Sequence, residues 1–175
     1  MNRLVSSMLI MSGLILSPAI VHAEDNQALI MQARSAAPAM VSADATVMYQ
    51  GKVLAEGSNG WTCMPETMPG DNSPICNDAV WMAMLTAVGS KGPFEAKQMG
   101  FSYMLGGDGG VSNSDPYHSD PMSAEDFIKE GPHLMVVAPK ALLEGMSTDP
   151  NSGGPYVMWK DTPYAHIMIP VGERD

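Results

Sequence analysis

Gly131-Pro132-His133-Leu134-Met135-Val136-Val137-Ala138-Pro139 is the stretch on which the reading of the fold turns. Its centre is almost wholly apolar, and residues that break regular structure close both ends. His133 to Ala138 therefore reads as an interior strand. Downstream, Tyr156-Val157-Met158-Trp159-Lys160, a turn at Asp161-Thr162, and Tyr164 to Ile169 read as a C-terminal hairpin. Upstream, Gln98 to Leu105 reads as a strand with Phe101, Tyr103 and Leu105 on one side. Earlier still, Ala45 to Tyr49 alternates, Gln50-Gly51 supplies a two-residue turn, and Lys52 to Glu56 returns.

Helical segments fall between these strands. Glu24 to Ala36 has helical composition and is stopped by Pro38. Asn77 is placed to cap a helix over Asp78 to Val88, with Trp81, Leu85 and Val88 on one face and Gly89 at its end. Ser123 opens a second short helix, with Met122 and Phe127 spaced as a hydrophobic staple and Gly131-Pro132 as its stop. Pro139 to Glu144 is a helical turn ended by Gly145. Strands and short helices alternate without a regular βαβ rhythm, which predicts an α+β fold with a mainly antiparallel sheet.

The N-terminus carries a different signal. Arg3 precedes an apolar run from Leu4 to Ile20, Pro18 interrupts it, and Val21-His22-Ala23 offers small residues at the −3 and −1 positions of a cleavage site. This is the layout of a secretory signal peptide over residues 1–23, leaving 24–175 as one α+β domain. Ser6, Ser7, Ser12, Gly13 and Ser17 interrupt the run, which argues against an uncleaved membrane span. The expected location is the periplasm or the medium, with no stable membrane insertion after cleavage. Two cysteines, Cys63 and Cys76, flank a Pro-, Asp- and Asn-rich loop, and in an exported chain such a pair reads as one structural disulfide.

The formal net charge is −10, and Arg3 is the single charged residue that cleavage would remove. Such an acidic surface repels nucleic acid phosphates and anionic lipid heads, so no nucleic acid partner is expected. A small molecule, an ion or another protein remains open as the partner.

Common catalytic signatures are missing: there is no Gly-x-Ser-x-Gly elbow, His-Glu-x-x-His, P-loop or Rossmann glycine pattern. The glycine-rich loop beyond Leu105 carries Asp108, Asn113, Asp115 and Asp120, oxygen donors of the kind that bind Ca2+, though their spacing is not that of an EF-hand. The same residues are the ordinary material of turns. Asp108, Asp115 and His118 would be the candidates for a hydrolase in which a carboxylate orients an imidazole base.

Methionine is the compositional oddity, with seventeen in the chain, three of them (Met1, Met8 and Met11) within residues 1–23. Met fills irregular cores, and its thioether also suits Cu(I). One pattern occurs twice on expected strands: His133-Leu134-Met135 and His166-Ile167-Met168. With period two, each His shares a face with its Met. Were the two strands adjacent with both faces on one side, two imidazoles and two thioethers would converge. Otherwise these are core-facing residues.

Several segments resemble a family of short exported bacterial proteins that carry no assigned function. They are Ser42 to Met48, Gly57 to Cys63, Gly100 to Asp108, Gly131 to Met135, and Gly154 to Lys160 with Pro163 to His166. The resemblance spans most of residues 24–175. It implies export and one domain, and it brings no activity, cofactor or site residue. The reading that follows is an exported binding or envelope-associated protein without catalytic turnover. The Asp/His hydrolase and the copper protein stand as alternatives.

Overall fold

The structure is a computed structural model that describes residues 19–174. The stretch expected as a signal peptide lies, up to Pro18, outside the described residues. The backbone from Ala19 onward forms helix α1 (Ala19–Arg34), followed by a single turn, α2 (Ala39–Ser42). Strands β1 (Thr46–Tyr49), β2 (Lys52–Ala55), β3 (Thr62–Met64) and β4 (Ile75–Asn77) precede α3 (Ala79–Ser90). Then come β5 (Gly100–Met104), β6 (Val111–Ser112), β7 (Phe127–Ile128), β8 (His133–Val137), β9 (Tyr156–Met158) and β10 (His166–Pro170).

Eight strands form one sheet in the order β2-β1-β3-β4-β5-β8-β10-β9, and β6 pairs with β7 apart from it. Every neighbouring pair in the large sheet is antiparallel except β1 with β3. The fold is thus mixed helix and sheet with a mostly antiparallel sheet. The strand from His133 lies between β5 and β10, as its apolar content requires. At the β1–β2 turn Gln50 and Gly51 both take positive φ, 49° and 75°, the left-handed pair that matches the twist of a two-residue hairpin.

Cys63 and Cys76 are bonded to each other. They face one another across β3 and β4 with Cα atoms 4.0 Å apart, and both are fully buried.

Two expected helices change. Asn77 does not cap α3; it belongs to β4, where its side-chain carbonyl accepts the Ser102 hydroxyl at 2.7 Å. Asp78 is the cap, accepting the Trp81 N–H at 2.8 Å on one oxygen and the Phe101 N–H at 2.7 Å on the other. The helix runs through Gly89, whose cost inside a helix is only about 1 kcal/mol, and ends where Lys91 turns left-handed at φ 52°. The segment from Ser123 is not a helix. Pro121–Ser123 makes one 3-10 turn, Ala124 is extended, and Phe127–Ile128 pairs as β7. Asp126 accepts a hydrogen bond from Ser112 on the facing strand instead of reaching back to Ser123.

Burial explains the layers. On one face of the sheet Ala33 of α1 and Ala36 just beyond it pack with Val47, Cys63 and Cys76; their small side chains let the helix approach closely. Leu143, in the 3-10 turn Lys140–Leu143, covers Val157 and Ala165 further along. On the opposite face α3 buries Trp81 and Met84. Its approach depends on Gly100, where a Cβ would stand 2.6 Å from that of Val80. The outer backbone of β9 is occupied by loops, since Val157 N–H donates to the Ser147 carbonyl and Trp159 N–H to that of Asn113, each at 2.8 Å. Among the described residues no helix is long and apolar enough to cross a membrane.

Candidate functional site

The face beneath α3 can be read off the strand registers. Residues two apart share a face, and residues directly opposite across an antiparallel pair have Cβ atoms about 5 Å apart. Gly100, Val137, His166 and Met158 therefore form one row across β5, β8, β10 and β9. Ser102, Met135, Met168 and Tyr156 form the next, and Met104, His133 and Pro170 the third.

Above these rows lies a cavity of about 130 Å³. Its floor is Met104, Met135, Met158, His166 and Met168, and its roof is Trp81, Met84 and Leu85 of α3. The mouth is formed by Thr67, Met68 and Asp71 on one side and Asp108 to Val111 on the other. Six thioethers line one space. Close packing is the rule in protein interiors, and Met adapts readily to fill gaps, so a space kept open among six of them is unusual.

His166 stands edge-on between two indoles, with ring centroids 5.2 Å from Trp81 and 5.1 Å from Trp159. Its Nδ1 lies 2.9 Å from the Tyr164 carbonyl, which can only accept, so Nδ1 carries the proton and Nε2 keeps its lone pair. Burial pushes its pKa down to about 4, so the ring is neutral at ordinary pH. Trp159 has φ 54°, a left-handed conformation that bulky side chains rarely adopt. Its Nε1–H donates to the Ser112 carbonyl at 2.9 Å, which ties this wall of the cavity to the glycine-rich loop.

The residues expected from the repeated His-x-Met pattern are brought partly together. Strands β8 and β10 are neighbours, both faces lie on the α3 side, and Met135 faces Met168 directly. The antiparallel direction separates the histidines, because His133 faces Pro170 and His166 faces Val137, four residues or about 13 Å along the strand. His133 is a fully buried residue with Nδ1 2.7 Å from the Gly131 carbonyl, and it does not line the cavity. Met158 takes the place beside His166 that the sequence pattern gave to His133. Missing it had a simple cause: Met158 belongs to no His-x-Met pattern, and its place beside His166 follows from the register of the C-terminal hairpin.

The oxygen-rich loop does not converge. Asp108 accepts the Gly110 and Glu130 N–H groups at 3.0 and 2.9 Å. Burial raises its pKa, with the nearby His133 acting in the opposite sense. Asn113 donates to the Thr148 carbonyl, and Asp115 accepts the Tyr117 N–H. Asp120 is exposed, and its N–H donates to His118 Nδ1 at 3.3 Å. Asp108 and Asp115 brace local turns, while Asp108 and Asn113 also tie the loop to Glu130 and Thr148. His118 makes no ion pair with a carboxylate among the described residues, and its backbone N–H donates to the Asp115 carbonyl at 3.4 Å. No group of three or more His, Cys, Asp or Glu side chains is gathered for a metal among the described residues.

Comparison with known proteins finds no family model, no curated protein and no solved structure that matches this chain.

Proposed function

We propose that this is an exported binding protein without catalytic turnover, whose ligand occupies the cavity between α3 and the sheet. The observation that carries the reading is the cavity itself: concave, with largely apolar walls and an imidazole, His166, whose ring is oriented by the Tyr164 carbonyl. Apolar walls with a few placed polar groups are what small-ligand sites use. Export is supported by the three-part N-terminus and by a buried disulfide, which belongs to oxidising compartments.

Trp81 and Trp159 line the cavity while Trp61 packs on Tyr103 under the other face, so occupancy has a built-in optical readout. Iodobenzene, a small apolar heavy-atom quencher, should quench the intrinsic fluorescence saturably. Filling the space with Met168→Trp should abolish the saturable component. Linear quenching that is equal in the two proteins would refute the cavity as a binding site.

A further inference from the structure

We infer that the occupant is a soft monovalent cation, Cu(I), held by Nε2 of His166 and the thioethers of Met158 and Met168, with Met135 as the fourth neighbour. This rests on the reading of the cavity as the binding site. Three observations carry it. Met158 is directly opposite His166 across β9 and β10, and Met168 lies two residues further along β10 on the same face. Directly opposed positions bring Cβ atoms to about 5 Å, and positions two apart to about 7 Å. Met135 then faces Met168 from β8. One imidazole and three thioethers thus adjoin on a rigid floor, and all four line the same cavity.

The second observation is the imidazole's orientation. A ligating His usually gives its other N–H to a carbonyl or carboxylate, which fixes the tautomer and aims the lone pair. The Tyr164 carbonyl does this for His166. The third is what surrounds the four residues. Ca2+ and Mg2+ need several oxygen donors. Here the carboxylates at the mouth are engaged with backbone: Asp71 accepts the Thr67, Met68 and Ser73 N–H groups, and Asp108 those of Gly110 and Glu130. Thioethers with one imidazole suit Cu(I) and poorly suit hard ions. The binding is coordination alone, with no change of oxidation state.

Ag(I), a closed-shell soft monovalent ion like Cu(I) but stable in air, provides the first probe. Native mass spectrometry of the processed protein should show one Ag(I) per chain, with Trp fluorescence changing in step, and Cu(I) supplied anaerobically should compete. Met158→Leu combined with Met168→Leu keeps volume, so the fold should persist by circular dichroism and melting while Ag(I) affinity falls at least tenfold. Iodobenzene binding without stoichiometric Ag(I) in the wild type would overturn the metal assignment and leave the cavity reading intact. Loss of both would overturn both. Equal Ag(I) affinity in wild type and double variant would place the ion elsewhere and end the proposal.

Discussion

Arg174 reaches back from the C-terminal segment to clasp Glu130, its Nε and Nη2 donating to the two oxygens of a carboxylate that has no side-chain exposure, at 2.9 and 2.6 Å. The Tyr156 hydroxyl donates to the same carboxylate at 2.8 Å. Glu130 is thus a buried charge kept by two partners, one of them on the edge strand β9 beside the cavity.

Arg174→Ala should destabilise the protein by about 3 kcal/mol, because a buried carboxylate loses its counter-ion and retains its desolvation cost. Adding Glu130→Gln to that variant should recover part of the loss, since the neutral amide needs no counter-charge. Urea denaturation of the single and double variants measures both effects. An Arg174→Ala protein as stable as the wild type would show that the clasp contributes nothing.

Joining Cys63 to Cys76 closes a short loop, for which the chain-entropy model gives about 3 kcal/mol of stabilisation. Replacing both by Ala should lower the melting temperature by several degrees. Free-thiol labelling of the denatured wild-type protein without reductant should detect neither sulfur. Two reactive thiols would contradict the bond.

Stability should fall on acidification through His166. Burial holds its folded pKa near 4 against 6.5 for the free side chain. Between those values the unfolded chain takes up a proton that the folded protein refuses. The contribution is therefore fully present above about pH 6.5 and is lost as pH drops toward 4, on the order of 3 kcal/mol. Denaturation at several pH values should show a steeper fall in the wild type than in His166→Phe. Equal slopes would mean that the ring is protonated in the fold.

Processing should occur between Ala23 and Glu24. The intact mass of protein recovered from outside the cytoplasm is expected to correspond to a chain beginning at Glu24. A product still carrying Met1 to Ala23 would exclude it. Because α1 spans Ala19–Arg34, such cleavage leaves a helix that starts at the new N-terminus.

Local chemistry made the hairpin at Gln50-Gly51, the interior strand from His133 and the cystine legible, since each depends on residues close in sequence or on one compositional rule. The segment after Ser123 misled because capping residues and a staple also fit a turn followed by a short strand, and pairing of Phe127 with Ser112 decided the matter. At the site, alternation told which residues share a face: His166 with Met168, and His133 with Met135. It could not tell strand direction. The antiparallel pairing of β8 with β10 parted the histidines, and β9, far from His133 in sequence, delivered Met158. Parity is local, whereas neighbours are set by the whole sheet.

An eight-stranded open sheet has two margins open to strand addition, and here both are blunted. At β9 the Ser147 and Asn113 carbonyls already take the outward N–H groups of Val157 and Trp159. At β2 the margin is four residues long, begins with Lys52, and borders an irregular register between Val47 and Met48. Short, charged or bulged margins resist strand addition. The backbone of this sheet is thus guarded at both margins against the fibrous association that flat, open edges invite.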